Sequence, residues 1–234
     1  MILCLETSTS VCSVALCDRN GVNSVKESTE SKSHASQLSV FVYELLSATG
    51  LRPVDLEAVA VSKGPGSYTG LRIGVSTAKG IAFGASIPLI GIETTTSMFH
   101  GISEELKIKY EADSQTLYVP VLDARRSEVY YTILDKEGNT ITGIRAEVIT
   151  KDSFTVIPES RRMLFFGDGA EKCSQILRRQ NTGFIEEFKI SASHMFKPAS
   201  RALEDHDFED IAYFEPYYLK DFITSRPKKN ILGR

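Results

Sequence analysis

The 234-residue chain lacks an excess of either charge: 27 Lys and Arg stand against 30 Asp and Glu. The balance holds in each half, with 9 basic and 10 acidic residues up to position 110 and 18 and 20 beyond it. Neither half is therefore a basic nucleic-acid module, and any RNA contact must come from a local patch or through a partner. Cysteine is scarce. Cys4, Cys12, Cys17 and Cys173 form no CxxC pair, and three of them sit in apolar strand-like runs, which excludes a disulfide framework or a zinc ribbon. No long hydrophobic run exists: the longest uncharged stretch, between Lys79 and Glu93, is broken by Gly84, Pro88 and Gly91 and is too short to span a bilayer. The apolar opening Met1 to Leu5 stops at Glu6, short of a signal-peptide core, so a cytoplasmic chain is expected.

What is present reads as alternating strands and helices. Strands are predicted at Ile2 to Leu5, Val11 to Cys17 and Val22 to Ser28, joined by the polar turns Glu6 to Ser10 and Asp18-Arg19-Asn20-Gly21 into an antiparallel meander. Leu38, Phe41, Val42, Leu45 and Leu46 then recur at helical spacing, and Gly50 and Pro53 end that helix. Leu56 to Val61 and Ile87 to Ile92 read as buried strands flanking a helix from Thr69 to Ala85, which adds parallel strands and places the chain in the α/β class. A polar stretch, Glu104 to Gln115, leads into a second strand-turn-strand, Leu117 to Leu122 and Glu128 to Leu134, which repeats the opening plan weakly. Met163 to Phe166 then runs through Gly167-Asp168-Gly169 into a helix from Ala170. The stretch Glu204 to Glu215 has no Lys or Arg and the last eleven residues have no acid, which reads as a solvated helix followed by a frayed tail.

The motifs exclude more chemistry than they supply. Lys63-Gly64-Pro65-Gly66-Ser67-Tyr68-Thr69-Gly70-Leu71-Arg72 fails the Walker pattern, because Leu71-Arg72 follows Gly70, and fails the dinucleotide pattern, because Thr69 takes the third glycine's place. A glycine-rich strand-to-helix turn still presents free amides, and Gly70, Gly74 and Ala78 at four-residue spacing allow another helix to approach closely. His34, His100, His194 and His206 are scattered, with neither HxxxH nor HExxH, so no metal site is expected. Glu6, Asp123 and Asp168 each stand where a loop leaves the end of a strand, a placement that suggests the duplicated actin-like ATPase plan with two phosphate loops facing a cleft.

Three stretches carry a resemblance: Leu3 to Thr9, Lys63 to Gly74 and Val121 to Tyr130. They closely resemble the bacterial TsaB (YeaZ) family of tRNA threonylcarbamoyladenosine biosynthesis proteins, with the GPGSYTGLR string the most specific. The resemblance implies an actin-like (ASKHA, ribonuclease H-like) fold of two subdomains with mixed sheets. Residues 1–101, joined by 210–234, would form the first and 102–209 a degenerate second. It also implies a non-catalytic scaffold that activates TsaD, with the ATPase TsaE joining, for transfer of threonylcarbamoyl to the adenosine beside the anticodon of ANN-decoding tRNAs. Self-association without TsaD, tRNA contact only through the complex, no membrane, and no cofactor beyond weak ATP or ADP binding are expected. The expected partner surface is the two N-terminal helices, chiefly Leu38, Phe41, Val42, Leu45, Gly70, Gly74 and Ala78, with Val40 and Tyr43 adding apolar surface on another face. Glu6 stands where many family members have Asp, which weakens a phosphate-loop role. The rival expectation is an ATP-binding phosphotransferase or ATPase using Glu6, Asp123 and Asp168 around a magnesium nucleotide.

Overall fold

A computed structural model describes residues 1–30 and 34–219; the basic tail lies outside them. The chain opens with β1 (Ile2–Glu6), β2 (Cys12–Asp18) and β3 (Gly21–Ser28), followed by α1 (His34–Thr49), β4 (Ala58–Gly64), α2 (Tyr68–Ala85) and β5 (Leu89–Glu93). Two short helices, α3 (Thr94–His100) and α4 (Glu104–Lys109), lead to β6 (Leu117–Asp123), β7 (Glu128–Leu134) and β8 (Thr140–Val148). Then come β9 (Met163–Phe166), α5 (Ala170–Ile176), β10 (Thr182–Ile185), a 3-10 turn at Ala192–Met195 and α6 (Phe196–Asp205).

The strands form two five-stranded sheets of one design. The first runs β3-β2-β1-β4-β5 and the second, read in the same sense, β8-β7-β6-β9-β10. In each, three strands form an antiparallel meander and two more add in parallel: Leu3 pairs with Leu16 on one side and Val59 on the other, as Val119 pairs with Phe165 in the second sheet. The repeat of the opening plan, faint in the sequence, is complete in the strand order.

Both faces of β1 are buried, which is why Ile2-Leu3-Cys4-Leu5 is a continuous apolar run. Leu3 and Leu5 meet Leu38, Val42, Leu45 and Leu46 of α1 and Val75, Ala78 and Ala82 of α2. Ile2 and Cys4, with Ala15 and Cys17, meet Ala192, Met195 and Ala199. The 3-10 turn and α6 thus rest on the first sheet. The sequence boundary that puts 102–209 in the second unit therefore misplaces residues from about 191 onward, because the small-residue face of β1 and β2 needs a cover that the second half supplies. In the second sheet, Val119, Val121 and Phe165 pack with Ala170 and Cys173 of α5, while Tyr118, Leu122 and Phe166 pack with Met98 and Phe99 of α3.

The segment after α6 is no solvated helix. The Glu209 amide donates to the Leu89 carbonyl, the Tyr217 amide donates to the Lys63 carbonyl, and Glu209 pairs with Lys63 at 3.3 Å. Lys79 donates to the carbonyls of Ala212 and Phe214, and the Phe214 ring is buried over Gly91. The acidic stretch reads as a solvated helix because its one buried anchor, Phe214, and its backbone bonds have no periodic signal.

Candidate functional site: a helical face and an interlobe cleft

Two glycines of the GPGSYTG string, Gly66 and Gly70, are explained by contact with the β1–β2 turn, and the first, Gly64, by the Tyr217 carbonyl that lies over it. The Ser67 amide donates to the Ser8 carbonyl at 2.6 Å, and its side chain caps α2 by accepting from the Gly70 amide at 3.3 Å. A Cβ at Gly66 would collide with Ser8, one at Gly70 with the Thr7 carbonyl oxygen, and one at Gly74 with the Thr7 hydroxyl. The string seats the start of α2 directly on the turn after β1. It is a packing device here, with its amide-bearing end covered by protein.

The same contact settles where the small ridge points. Gly70, Gly74 and Ala78 are buried on the side of α2 that packs on β4 and β1, and Leu38, Val42 and Leu45 on the side of α1 that packs on β2 and β3, while Phe41 is half-buried. The expectation that these side chains meet a partner is corrected: they build the core of their own lobe, because the first sheet needs both helices to cover it. The solvent side of the pair carries other residues. Val40 and Tyr43 are 46% and 72% exposed on α1, and Phe83 is 78% exposed on α2. Beside Phe83, Ser76, Gly80 and Gly84 form an outward ridge, and a Cβ at either glycine would meet nothing within 4 Å. The sequence contains two small ridges on α2, each with four-residue spacing; only the neighbours Leu71, Val75 and Ala82, which share the inner face, tell them apart.

The three acidic turns do not converge. The Glu6 carboxylate is fully buried and accepts from the Ser8 amide at 2.6 Å, while its other oxygen has no partner among the described residues. Burial pushes its pKa up against the pull of the hydrogen bonds from Ser8. Asp123 and Asp168 do come together: Asp168 accepts from the Asp123 amide at 3.0 Å, and Asp123 accepts from the Arg125 amide at 2.6 Å and from Lys172 at 2.7 Å. Burial raises the Asp168 carboxyl as well. In both turns, amides that would face a phosphate already have partners, since Thr7 donates to Ser62, Val11 to Thr9 and Ala124 to the Glu128 carbonyl. The rival expectation of Glu6, Asp123 and Asp168 around one magnesium nucleotide is thus not met by the geometry.

Between the lobes lies a cavity of about 500 Å³. Thr9, Ser10 and Val11 of the β1–β2 turn line one wall, with Met98 of α3 beside them. Asp168, Glu171 and Ser174 form a second wall, and Phe184, Glu186, Phe188 and Lys189 close it. Asp168 reaches this cavity and Glu6 does not. The aromatic and charged residues from 184 to 189 escape a sequence reading, because nothing in their spacing marks them. Among the described residues, no three His, Cys, Asp or Glu side chains are grouped to hold a metal ion. No helix there is long and apolar enough to cross a membrane.

Two mixed sheets of identical strand order, lined up across a cleft, define a protein of the duplicated actin-like class. The profile of the family described as TsaD, tRNA N6-adenosine threonylcarbamoyltransferase, matches residues 24–213. The tRNA threonylcarbamoyladenosine biosynthesis protein TsaB of Escherichia coli is 34% identical over 151 residues, 64% of this chain and 62% of that protein, so the match spans less than two thirds of that relative. The Bacillus subtilis TsaB is 27% identical over 94% of this chain and 93% of its own. YeaZ from Pseudomonas aeruginosa superposes with a TM-score of 0.74 at 23% identity, covering 93% of this chain and 99% of that one. The chain belongs to the TsaD family, on its TsaB (YeaZ) branch.

Proposed function

We propose that this chain acts in tRNA threonylcarbamoyladenosine biosynthesis as a non-catalytic subunit, holding and activating a TsaD transferase, with TsaE joining the complex. The observation that carries this reading is the outer face of α1 and α2: exposed Val40, Tyr43 and Phe83 around an open ridge at Ser76, Gly80 and Gly84. Glycines in a helix interior cost about 1 kcal/mol each against alanine, and this cost is offset when a second backbone packs on them. A second copy of the chain takes the face when TsaD is absent, and tRNA is reached through the complex. The self-paired turns at Ser8 and Asp123 support the absence of nucleotide chemistry in this subunit.

The test is reconstitution. The chain alone turns over no ATP, and adding it to TsaD and TsaE raises threonylcarbamoyl transfer to tRNA. Asp123→Ala leaves that transfer within about tenfold of wild type, a barrier change under ~1.4 kcal/mol. ATP hydrolysis by the chain alone that is abolished by Asp123→Ala would reinstate the phosphotransferase reading.

A further inference from the structure

The interlobe cavity is built with the wrong charge for the ligand its position suggests. Its titratable lining is three carboxylates, Asp168, Glu171 and Glu186, against one ammonium, Lys189. Among the described residues, neither Glu186 nor Lys189 has an ion-pair partner, and the Lys172 ammonium is drawn away to Asp123. A polyphosphate placed here would meet an excess of like charge from exposed side chains at the rim of the cleft. It would also find the nearby Ser8, Val11, Asp123 and Arg125 amides already donating to protein oxygens. Apart from Thr9, Ser10, Thr29 and Ser174, the remaining lining is largely apolar and includes Val11, Met98, Phe184 and Phe188. The Phe188 ring is held in place by Phe166 at 5.0 Å and His194 at 5.5 Å, and Phe184 stacks on Phe165 at 5.3 Å, so both rings are braced from behind.

We infer that this cleft is a binding site for a small organic cation with an apolar body, an aromatic or alkyl amine, and that it rejects nucleotides. The carboxylates accept hydrogen bonds and cannot donate them when ionised, so they select an ammonium over a phosphate. The phenylalanine faces add attraction for a cation held near them. A volume of about 500 Å³ suits a ligand of one or two rings. The site stands apart from the helical face proposed for TsaD, and its failure would leave that reading untouched.

A matched pair of probes isolates the charge: tryptamine and indole-3-propionate share a ring and differ in the sign of the head group, with ADP as the nucleotide control. Titrations of the full chain, followed by calorimetry and by amide shifts around the cleft, are expected to show tryptamine binding at least tenfold tighter than the acid, and no ADP binding at millimolar concentration. Phe188→Ala should weaken tryptamine at least fivefold. Glu186→Lys, at an exposed position, should leave the thermal midpoint unchanged while cutting the preference for the amine severalfold. Tighter binding of the acid or ADP, binding of tryptamine that neither variant alters, or binding of no probe at 10 mM would each overturn the inference.

Discussion

His194 and Glu6 carry buried titratable groups with opposite consequences for stability. The His194 ring lies against Gly101 and Phe188, its Nδ1 is buried without a partner, and burial lowers its pKa to about 4. An unfolded histidine keeps a value near 6.5, so the stability this neutral ring contributes is present above pH 6.5 and is lost as pH falls toward 4. The loss is on the order of 3 kcal/mol over that window. Glu6 has the opposite sign: its raised pKa means the folded chain holds a proton more tightly than the unfolded one, so its contribution is present at low pH and is lost as pH rises. Urea unfolding at stepped pH should therefore show that His194→Gln loses less stability than wild type between pH 6.5 and 4, whereas Glu6→Gln flattens the change above pH 4.5. Parallel curves for wild type and His194→Gln would mean that the ring is not held neutral. Neither group could be placed from sequence, because a lone histidine or a turn glutamate has no periodicity to report its burial.

At the scale of elements, α2 is a helix with two small ridges that do different work. Gly74→Leu drives a side chain into Thr7 and Val61 and should cost about 3 kcal/mol or more. Gly80→Leu projects into open space and replaces a poor helix former with a good one, so its stability should equal or exceed that of wild type by up to ~1 kcal/mol, with a thermal midpoint no lower. Differential scanning calorimetry of the two variants separates the inner ridge from the outer one. The segment after α6 gives a second check: Phe214→Ala should destabilise by about 3 kcal/mol, as for a buried ring, whereas a solvated helix would change by less than ~0.5 kcal/mol. Strands β1, β2, β4 and β5 and helices α1 and α2 were legible because their apolar periods are strong. Strands β8 and β10 were not. The alternating exposure of Thr140–Val148 belongs to an edge strand with few apolar residues, and Thr182–Ile185 is too short to carry a period. Spacing alone does not tell the inner ridge of α2 from the outer one, since both obey one period and the sheet alone decides which is covered.

For the whole molecule, two lobes of one topology are tied together by α3 and by the crossing of residues 192–219 back onto the first sheet. That closure places the β1–β2 turn, the Asp168 loop and Phe188 around one cleft, yet among the described residues nothing covers Val40, Tyr43, Phe83, Gly80 and Gly84 on the outer face of α1 and α2. A molecule whose phosphate turns are satisfied internally and whose apolar, glycine-lined helical face is open is suited to binding a partner. The most direct measurement of that claim is the affinity of a TsaD protein for the Gly80→Leu chain, by sedimentation velocity or calorimetry, alongside its thermal midpoint. The variant should remain folded at or above the wild-type midpoint and bind TsaD at least tenfold more weakly, about 1.4 kcal/mol. A folded Gly80→Leu chain that binds TsaD as tightly as wild type would place the contact elsewhere and contradict the account.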